Sequence, residues 1–528
     1  ISTKGRSSLY MNRNVIIFLG AVSLCCSPDV LAQSGMSACQ EQAIPDIGNA
    51  FVRTERRNFW NSGRNAAGVR QDTVSVSCAW AGGKYVSGGF RDCSDAASSW
   101  SAGAKAATIM HLKTLSLTGA FSFENFSGSG MCGSMSSRPG YYPVDVLEFT
   151  PGKKTLQTYG FEGGISVDLG RSWRLGGKID FTGANYTKRK DLRHTDYLLD
   201  LTVSPSVMHY GDGWAVGLSA VFNKNSETID AEELGISSST YYAFLDKGLM
   251  YGAYESWEGS GVHLSESGID GFPVRELVYG GAAQFQRRGF YAELEYLYGT
   301  GRAGEKQTVW FLFTGHTVSL KAGYSFGTES RRNYLRLSAD WKSQSNHETV
   351  LNKVTEGGVT TTEVYGSNLV FGRRMLSVRP EYGLDAESVR LIAGLGIVSL
   401  DRQASPLYPY IFTEHDVMMS AYLSGEVPAG NFDILAGLRF STGSRVADSR
   451  TDEADVDAES EPYRLEDWYN MQNEYMLASR LGVKLGARYR FADGLYAEAA
   501  AQYFRGFNLR YLAGPDRWTV ALAVGYVF

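Results

Sequence analysis

Proline and histidine are scarce in this chain, at 13 and 7 of 528 residues. Few prolines leave long stretches free to pair through every backbone N–H. Few histidines leave little material for metal sites or acid–base chemistry. The seven are scattered at His111, His194, His209, His263, His316, His347 and His415. None falls in an H-E-x-x-H pattern, and neither a G-x-S-x-G elbow nor a P-loop occurs. The reading is non-enzymatic, with no metal or other cofactor. Long apolar runs are missing too. The one run, Val15 to Leu24, is too short to cross a bilayer as a helix. A mean hydropathy of −0.21 excludes a bundle of membrane helices.

That short run follows Met11, Asn12 and Arg13 and precedes Val30-Leu31-Ala32. This is the pattern of a secretory signal peptide over 11–32, cut after Ala32, with residues 1–10 an upstream extension. Cys25 and Cys26 lack the small residue that a lipoprotein signal places before its cysteine, so no lipid anchor is expected. Cleavage removes Lys4, Arg6, Arg13 and Asp29 from totals of 51 basic and 56 acidic side chains, leaving a net charge of −7. Nothing in that balance favours nucleic acid. Of six cysteines, Cys39, Cys78, Cys93 and Cys132 remain. An exported chain permits disulfides. A Cys93–Cys132 bridge and free thiols both stay open, and no CxxC spacing suggests a metal.

What is abundant is glycine (60) and tyrosine (31), in a pattern of period two that suits strands. Clear cases are Leu115-Leu117-Phe121-Phe123, Trp173-Leu175-Ile179-Phe181 and Leu481-Val483-Leu485-Tyr489-Phe491. Segments of about ten alternating residues between turns are the signature of a transmembrane β-barrel. Eighteen candidate strands fall near 73–86, 101–112, 114–126, 154–169, 172–188, 195–209, 213–225, 274–287, 289–300, 306–326, 331–346, 363–383, 387–402, 412–425, 430–444, 468–491, 494–508 and 516–528. Connections after even-numbered strands are short, as at Lys113 and Gly170-Arg171. Several after odd-numbered strands are long: 127–153, 226–273, 347–362 and 445–467. Short turns inside and long loops outside are how outer-membrane barrels are built. Candidates 2, 8 and 14 are the weakest, and Pro205 and Pro380 would each forfeit a ladder bond. Sixteen strands is the alternative count.

On five strands one face carries aromatics eight residues apart: Trp173 and Phe181, Trp214 and Phe222, Phe290 and Tyr298, Phe432 and Phe440, Trp518 and Tyr526. Eight residues at ~3.3 Å span ~26 Å, and tilt reduces this to ~20 Å of height. That matches an apolar band between two aromatic girdles. The opposite face then looks into a lumen through Arg174, Lys178, Asp180, Glu293, Glu295, Arg336, Asp340, Arg480, Lys484, Arg488 and Arg490. The basic column at 480–490 reads either as selectivity for anions or, with stronger support, as part of a salt-bridged, partly filled interior, since acids are also plentiful. Residues 33–72, before the barrel at 73–528, read as a periplasmic tail or a small plug. The 226–273 connection carries Tyr241, Tyr242, Phe244, Tyr251, Tyr254 and Trp257, which need no more than packing within a large loop. Residues 448–461 hold seven carboxylates without a turn-forming glycine, and read as a solvated loop rather than a cation site.

The blocks "NFWNSGRNAAGV", "SLTGAFSFENFSG" with "PVDVLEF", and "SWRLGGKIDFTGANYTKRKDLRH" together resemble an uncharacterised family of Bacteroidota outer-membrane β-barrel proteins, a domain of unknown function. The likeness runs from about Phe59 to Phe528. It implies a signal peptide, an outer-membrane barrel, and a cell rich in surface nutrient-uptake complexes; it carries no catalytic residues. The last stretch, with Tyr526 and Phe528, resembles the signal by which the outer-membrane assembly machinery recognises its substrates. The expectation is an all-β up-and-down barrel in lipid that passes a small solute. The alternative is a non-channel subunit whose loops bind a surface lipoprotein or a TonB-dependent transporter.

Overall fold

The computed structural model describes residues 43–232, 241–250, 253–256, 269–304, 309–357, 359–405, 411–451, 465–491 and 494–528. The signal peptide, Cys39, Tyr251, Trp257 and most of the acidic run lie outside them. Seven strands come first: β1 Val76–Gly88, β2 Ser98–His111, β3 Leu115–Ser134, β4 Asp145–Leu169, β5 Trp173–Lys188, β6 Arg193–Gly211 and β7 Trp214–Glu232. Two short strands follow, β8 Tyr242–Asp246 and β9 Ala253–Ser256. Then come β10 Ile269–Arg287, β11 Phe290–Gly304, β12 Val309–Gly327, β13 Arg331–Glu356, β14 Val359–Ala386, β15 Arg390–Ala404 and β16 Ile411–Ala429. The last are β17 Phe432–Thr451, β18 Arg480–Arg490, β19 Leu495–Gly506 and β20 Asp516–Val527.

Each long strand pairs antiparallel with the next, and β7 pairs with β10. The ring closes where β1 meets β20, from Cys78 opposite Val527 to Gly88 opposite Arg517. Ser77 and Phe528 exchange backbone bonds of 2.8 and 2.9 Å just beyond it. With β8 and β9 set aside, the ring is a closed antiparallel barrel of eighteen strands, which removes every sheet edge. Sixteen is ruled out.

Alternation decides which face meets what. On β20, Trp518, Val520, Leu522, Val524 and Tyr526 are exposed, while Ala521, Ala523 and Gly525 turn inward. Of the ten girdle aromatics, eight are exposed and Phe181 and Tyr298 are half-buried. A belt this apolar has no stable interface with water, but it suits the hydrocarbon of a bilayer. No helix among the described residues is long and apolar enough to cross a membrane. The prolines act as expected. The β6–β7 ladder skips Ser204 and Pro205, and the β14–β15 ladder skips Arg379 and Pro380.

Strand ends differ from the sequence reading at several loops: β7 runs on to Glu232, β10 starts at Ile269 and β17 runs on to Thr451. The 347–362 loop is instead a continuation of β13 and β14, paired from Glu348 with Asn368 to Glu356 with Val359. The 127–153 loop shrinks to 135–144 because β3 and β4 extend outward. The strand placed at 468–491 begins only at Arg480. Before it lies helix α2, whose bounds are Leu465–Leu477. Its buried Leu465, Tyr469, Asn473 and Met476 recur at spacings of four and three, the period of a helix rather than a strand.

Leu218 lies midway between Trp214 and Phe222 on the outer face and is 62% exposed. Leu218→Arg is expected to lower barrel stability by about 2–4 kcal/mol. Urea unfolding in lipid vesicles, with Leu218→Ala as the size control, measures the difference.

Candidate functional site

The lumen is occupied from the turn side by residues 43–72. Three asparagines organise that segment, each accepting a backbone N–H at the start of a short turn. Asn49 caps helix α1, Ala50–Arg57, through Val52 N–H at 3.1 Å. Asn58 caps the 3-10 turn Phe59–Ser62 through Trp60 N–H at 3.2 Å. Asn65 caps the 3-10 turn Ala66–Gln71 through Ala67 N–H at 3.0 Å.

Trp60 is the apolar anchor. It is 1% exposed and packs with Phe59, Ala67, Met208, Ala215 and Tyr291. Its indole N–H donates to Gln286. The wall makes room with glycine: a Cβ at Gly176 would lie 2.3 Å from the Ala67 nitrogen, and one at Gly323 would lie 2.6 Å from the Phe59 ring. Around this anchor the attachment is polar. Arg57 meets Asp385 at 3.1 Å, Arg64 meets Glu295 at 2.5 Å, and Arg70 meets Asp168 at 3.1 Å. Asp46 meets Lys484 at 3.0 Å. Burial raises the Asp46 carboxyl, but Lys484 and Arg488, helped by the Gly48 N–H, outweigh it and hold the group below its ordinary value. Arg53 lies 3.6 Å from Glu426. Burial and the nearby Arg390 bring its guanidinium down to about 10, against the pull of Glu426.

The outer end is closed by different chemistry. The 135–144 loop, β8 and α2 turn inward and join strand ends in two apolar clusters. One gathers Tyr142, Val144, Leu245, Trp310 and Phe313; the other gathers Phe149, Phe244, Phe371, Phe412 and Leu465. β8 pairs with β4 at Val146 and Leu245. Polar clasps fix the pieces. Arg138 donates to Asp200 at 3.1 Å and Asn225 at 2.7 Å. On α2, Asn473 accepts from Arg402 at 3.1 Å and Arg445 at 2.9 Å. Beside the segment a chamber of about 760 Å³ remains among the described residues. Its walls include Lys84, Lys321, Arg336, Arg379, Arg439 and Lys484, and its floor is the segment from Ala43 to Ser62.

A model of a family of unknown function, DUF6850, matches residues 66–528. The chain belongs to that family. No curated protein matches the chain. Among solved structures, the ferric-catecholate import receptor Fiu from E. coli K12, open form, is 8% identical with a TM-score of 0.40, covering 87% of this chain and 82% of that one. The FrpB iron transporter from Neisseria meningitidis is 9% identical with a TM-score of 0.40 and the same coverage. BauA, the ferric preacinetobactin receptor from Acinetobacter baumannii, is 7% identical with a TM-score of 0.38, covering 86% and 80%.

In this DUF6850 barrel most of the charges assigned to the lumen face inward and are engaged. Glu293 and Glu295 hold Arg64, the Glu293 carboxylate by accepting the Arg64 backbone N–H at 3.0 Å. Arg488 joins Glu426, Glu498 and the Gly48 carbonyl. Arg174 pairs with Asp168 at 2.8 Å, Lys178 with Asp180 at 3.4 Å, and Asp340 with Arg379 at 3.5 Å. Arg480 caps the carbonyl of Tyr475 at the end of α2. Arg336 donates to the Arg56 carbonyl. Arg490 sits at the rim, bonded to the Gly430 carbonyl of the β16–β17 turn. Tyr526 and Phe528 pack ring to ring at 5.6 Å on the outer face. Cys78, Cys93 and Cys132 are buried free thiols, with the Cys132 sulfur 3.7 Å from the Cys93 carbonyl oxygen. The sequence reading did not single out Trp60, Arg138 or Tyr469. The three asparagines, each opening a short polar–apolar run, are the signal that could have marked 43–72 as structured.

Trp60→Ala should loosen the segment by about 3–5 kcal/mol. Hydrogen exchange over residues 50–70 should rise while exchange of the barrel strands stays slow. The outer closure should respond to pH. Burial pushes the Asp246 carboxyl up to about 6, against the Gly248 and Met250 N–H groups and Arg402. A carboxyl harder to ionise when docked than free makes docking strongest below about pH 4 and progressively weaker up to about pH 6. Protection of the 242–246 amides, corrected for intrinsic rates, should fall across that window in the natural chain and stay level in Asp246→Asn.

Proposed function

We propose that this protein lies in a Gram-negative outer membrane as a barrel that is closed at rest, and passes a small solute only when segment 43–72 leaves its seat. The observation that carries the reading is the chamber beside the seated segment, with the outer end of the barrel closed separately by two apolar clusters. The lower closure combines ion pairs, which water can replace as the segment moves, with the buried Phe51, Phe59 and Trp60. The upper one is pinned by loops that themselves end on charged clasps such as Arg138. An exterior belt of exposed apolar side chains supports the membrane setting, and the outer-membrane assembly machinery is the partner that the final strand suits.

The apolar packing at the outer end favours a second reading, a non-channel subunit of a surface uptake or assembly complex. Planar bilayers separate them. The natural chain should be silent for most of the recording, and a Trp60→Ala, Arg64→Ala, Arg138→Ala variant should show discrete openings. A folded but silent variant, with a lipoprotein or transporter co-purifying in fixed ratio, would sink the gated reading in favour of the second.

A further inference from the structure

The chamber is lined by nine cationic and three anionic side chains, the acids being Asp46, Glu381 and Glu498. Most of the cations are spoken for. Lys84, Lys321, Arg379 and Arg517 lean on neighbouring acids at 3.5 to 3.9 Å. Lys484 and Arg488 pair with Asp46, Glu426 and Glu498. Arg439 reaches the Ala43 carbonyl at 3.0 Å. Two more, Arg56 and Arg336, make their hydrogen bonds to backbone carbonyls of the segment. Arg56, on the segment, donates to the Asp46 backbone carbonyl at 3.3 Å. Arg336, on the wall, donates to the backbone carbonyl of Arg56 itself and lies over the Phe59 ring, 5.2 Å from its centre. Glu381, which accepts the Tyr422 hydroxyl at 2.7 Å, keeps its negative charge and offsets part of that on Arg336. Two guanidinium groups therefore flank one part of the chamber, one on each side of the boundary between segment and wall, with the Lys321 ammonium also on the lining.

Like charges held together in a space of this size form a site for an oxyanion, because each guanidinium fork can bond two oxygens at once. The volume suits a compact organic ligand. We propose that the chamber binds a small, multiply charged oxyanion, bearing phosphate or carboxylate oxygens, bridged between Arg56 and Arg336. The site is complete only while the segment is seated, so the anion and the seated segment stabilise each other. This inference rests on the gated reading and names the class of solute that the gate controls. It also gives the solute a second role, as a latch that holds the closed state.

The test uses the full chain in lipid nanodiscs, with inorganic pyrophosphate and citrate as probes and sodium chloride at matched ionic strength as control. Hydrogen exchange over residues 50–57 should slow at least tenfold with one probe and not with chloride; the probe that acts decides between phosphate and carboxylate chemistry. The slowing should vanish in Arg336→Gln. It should vanish equally in Arg56→Gln, which keeps the bond from Arg336 to the residue-56 carbonyl. It should persist in Arg505→Gln, a change at an exposed arginine outside the chamber. No slowing by either probe, or slowing that survives both chamber substitutions, overturns the proposal. Bilayer conductance is read separately, so failure here leaves the gated reading standing.

Discussion

Everything in this molecule follows from one closure, the ladder between β1 and β20. In hydrocarbon a strand cannot leave its N–H and C=O groups unpaired, so the sheet must return to its own beginning. Once eighteen strands have closed, the circumference is fixed, and a ring of that number encloses more space than its own inward side chains can fill. The interior must then hold water or chain. Here it holds chain at both ends. The wall residues that make this fit are small where the chain comes close, as at Gly176 and Gly323, and charged where it must be held, as at Glu295 and Lys484.

The two fillings differ because their surroundings differ. The outer loops leave the barrel as long strand extensions and can bring apolar side chains with them. Phe244 and Phe371 come together with Leu465 from three separate parts of the chain. The lower filling is a single segment entering a lumen already lined by charge. It buries Phe51, Phe59 and Trp60, and matches wall acids with Arg57, Arg64 and Arg70. Burying ion pairs adds little net stability, since desolvation offsets attraction. It does specify one seat, because each arginine meets its acid only there.

The barrel was legible in the sequence because its signal is local. Period-two alternation placed all eighteen strands, and the eight-residue aromatic spacing set the height of the lipid belt. What failed was equally local in cause. Residues 465–477 carry apolar side chains at helical spacing, and an extended strand reading overran them. Residues 347–362 carry Val350, Leu351, Val354 and Val359 on no single face, so period-two alternation did not mark them as strand; their pairing comes from the hairpin they close. The lumen charges were placed on the correct face, but their partners were not readable. Arg488 meets Glu426 from 62 residues away, and Lys484 meets Asp46 from 438. Such pairs depend on the register of the whole ring.

The form of the lower filling also constrains how it can move. Its turns contain 8, 4 and 6 residues. Helices this short are not stable alone in water. Their hydrogen bonds persist because asparagine caps and the wall complete them: Asn65 caps its turn while its amide also bonds the Val207 carbonyl and Gln284. A segment of this kind cannot swing aside as a rigid lid. Leaving the wall removes the contacts that keep its turns, so its release is an order-to-disorder transition. If the barrel is gated as proposed, the entropy gained by the freed segment favours the open state, and the ion pairs and the buried Trp60 oppose it.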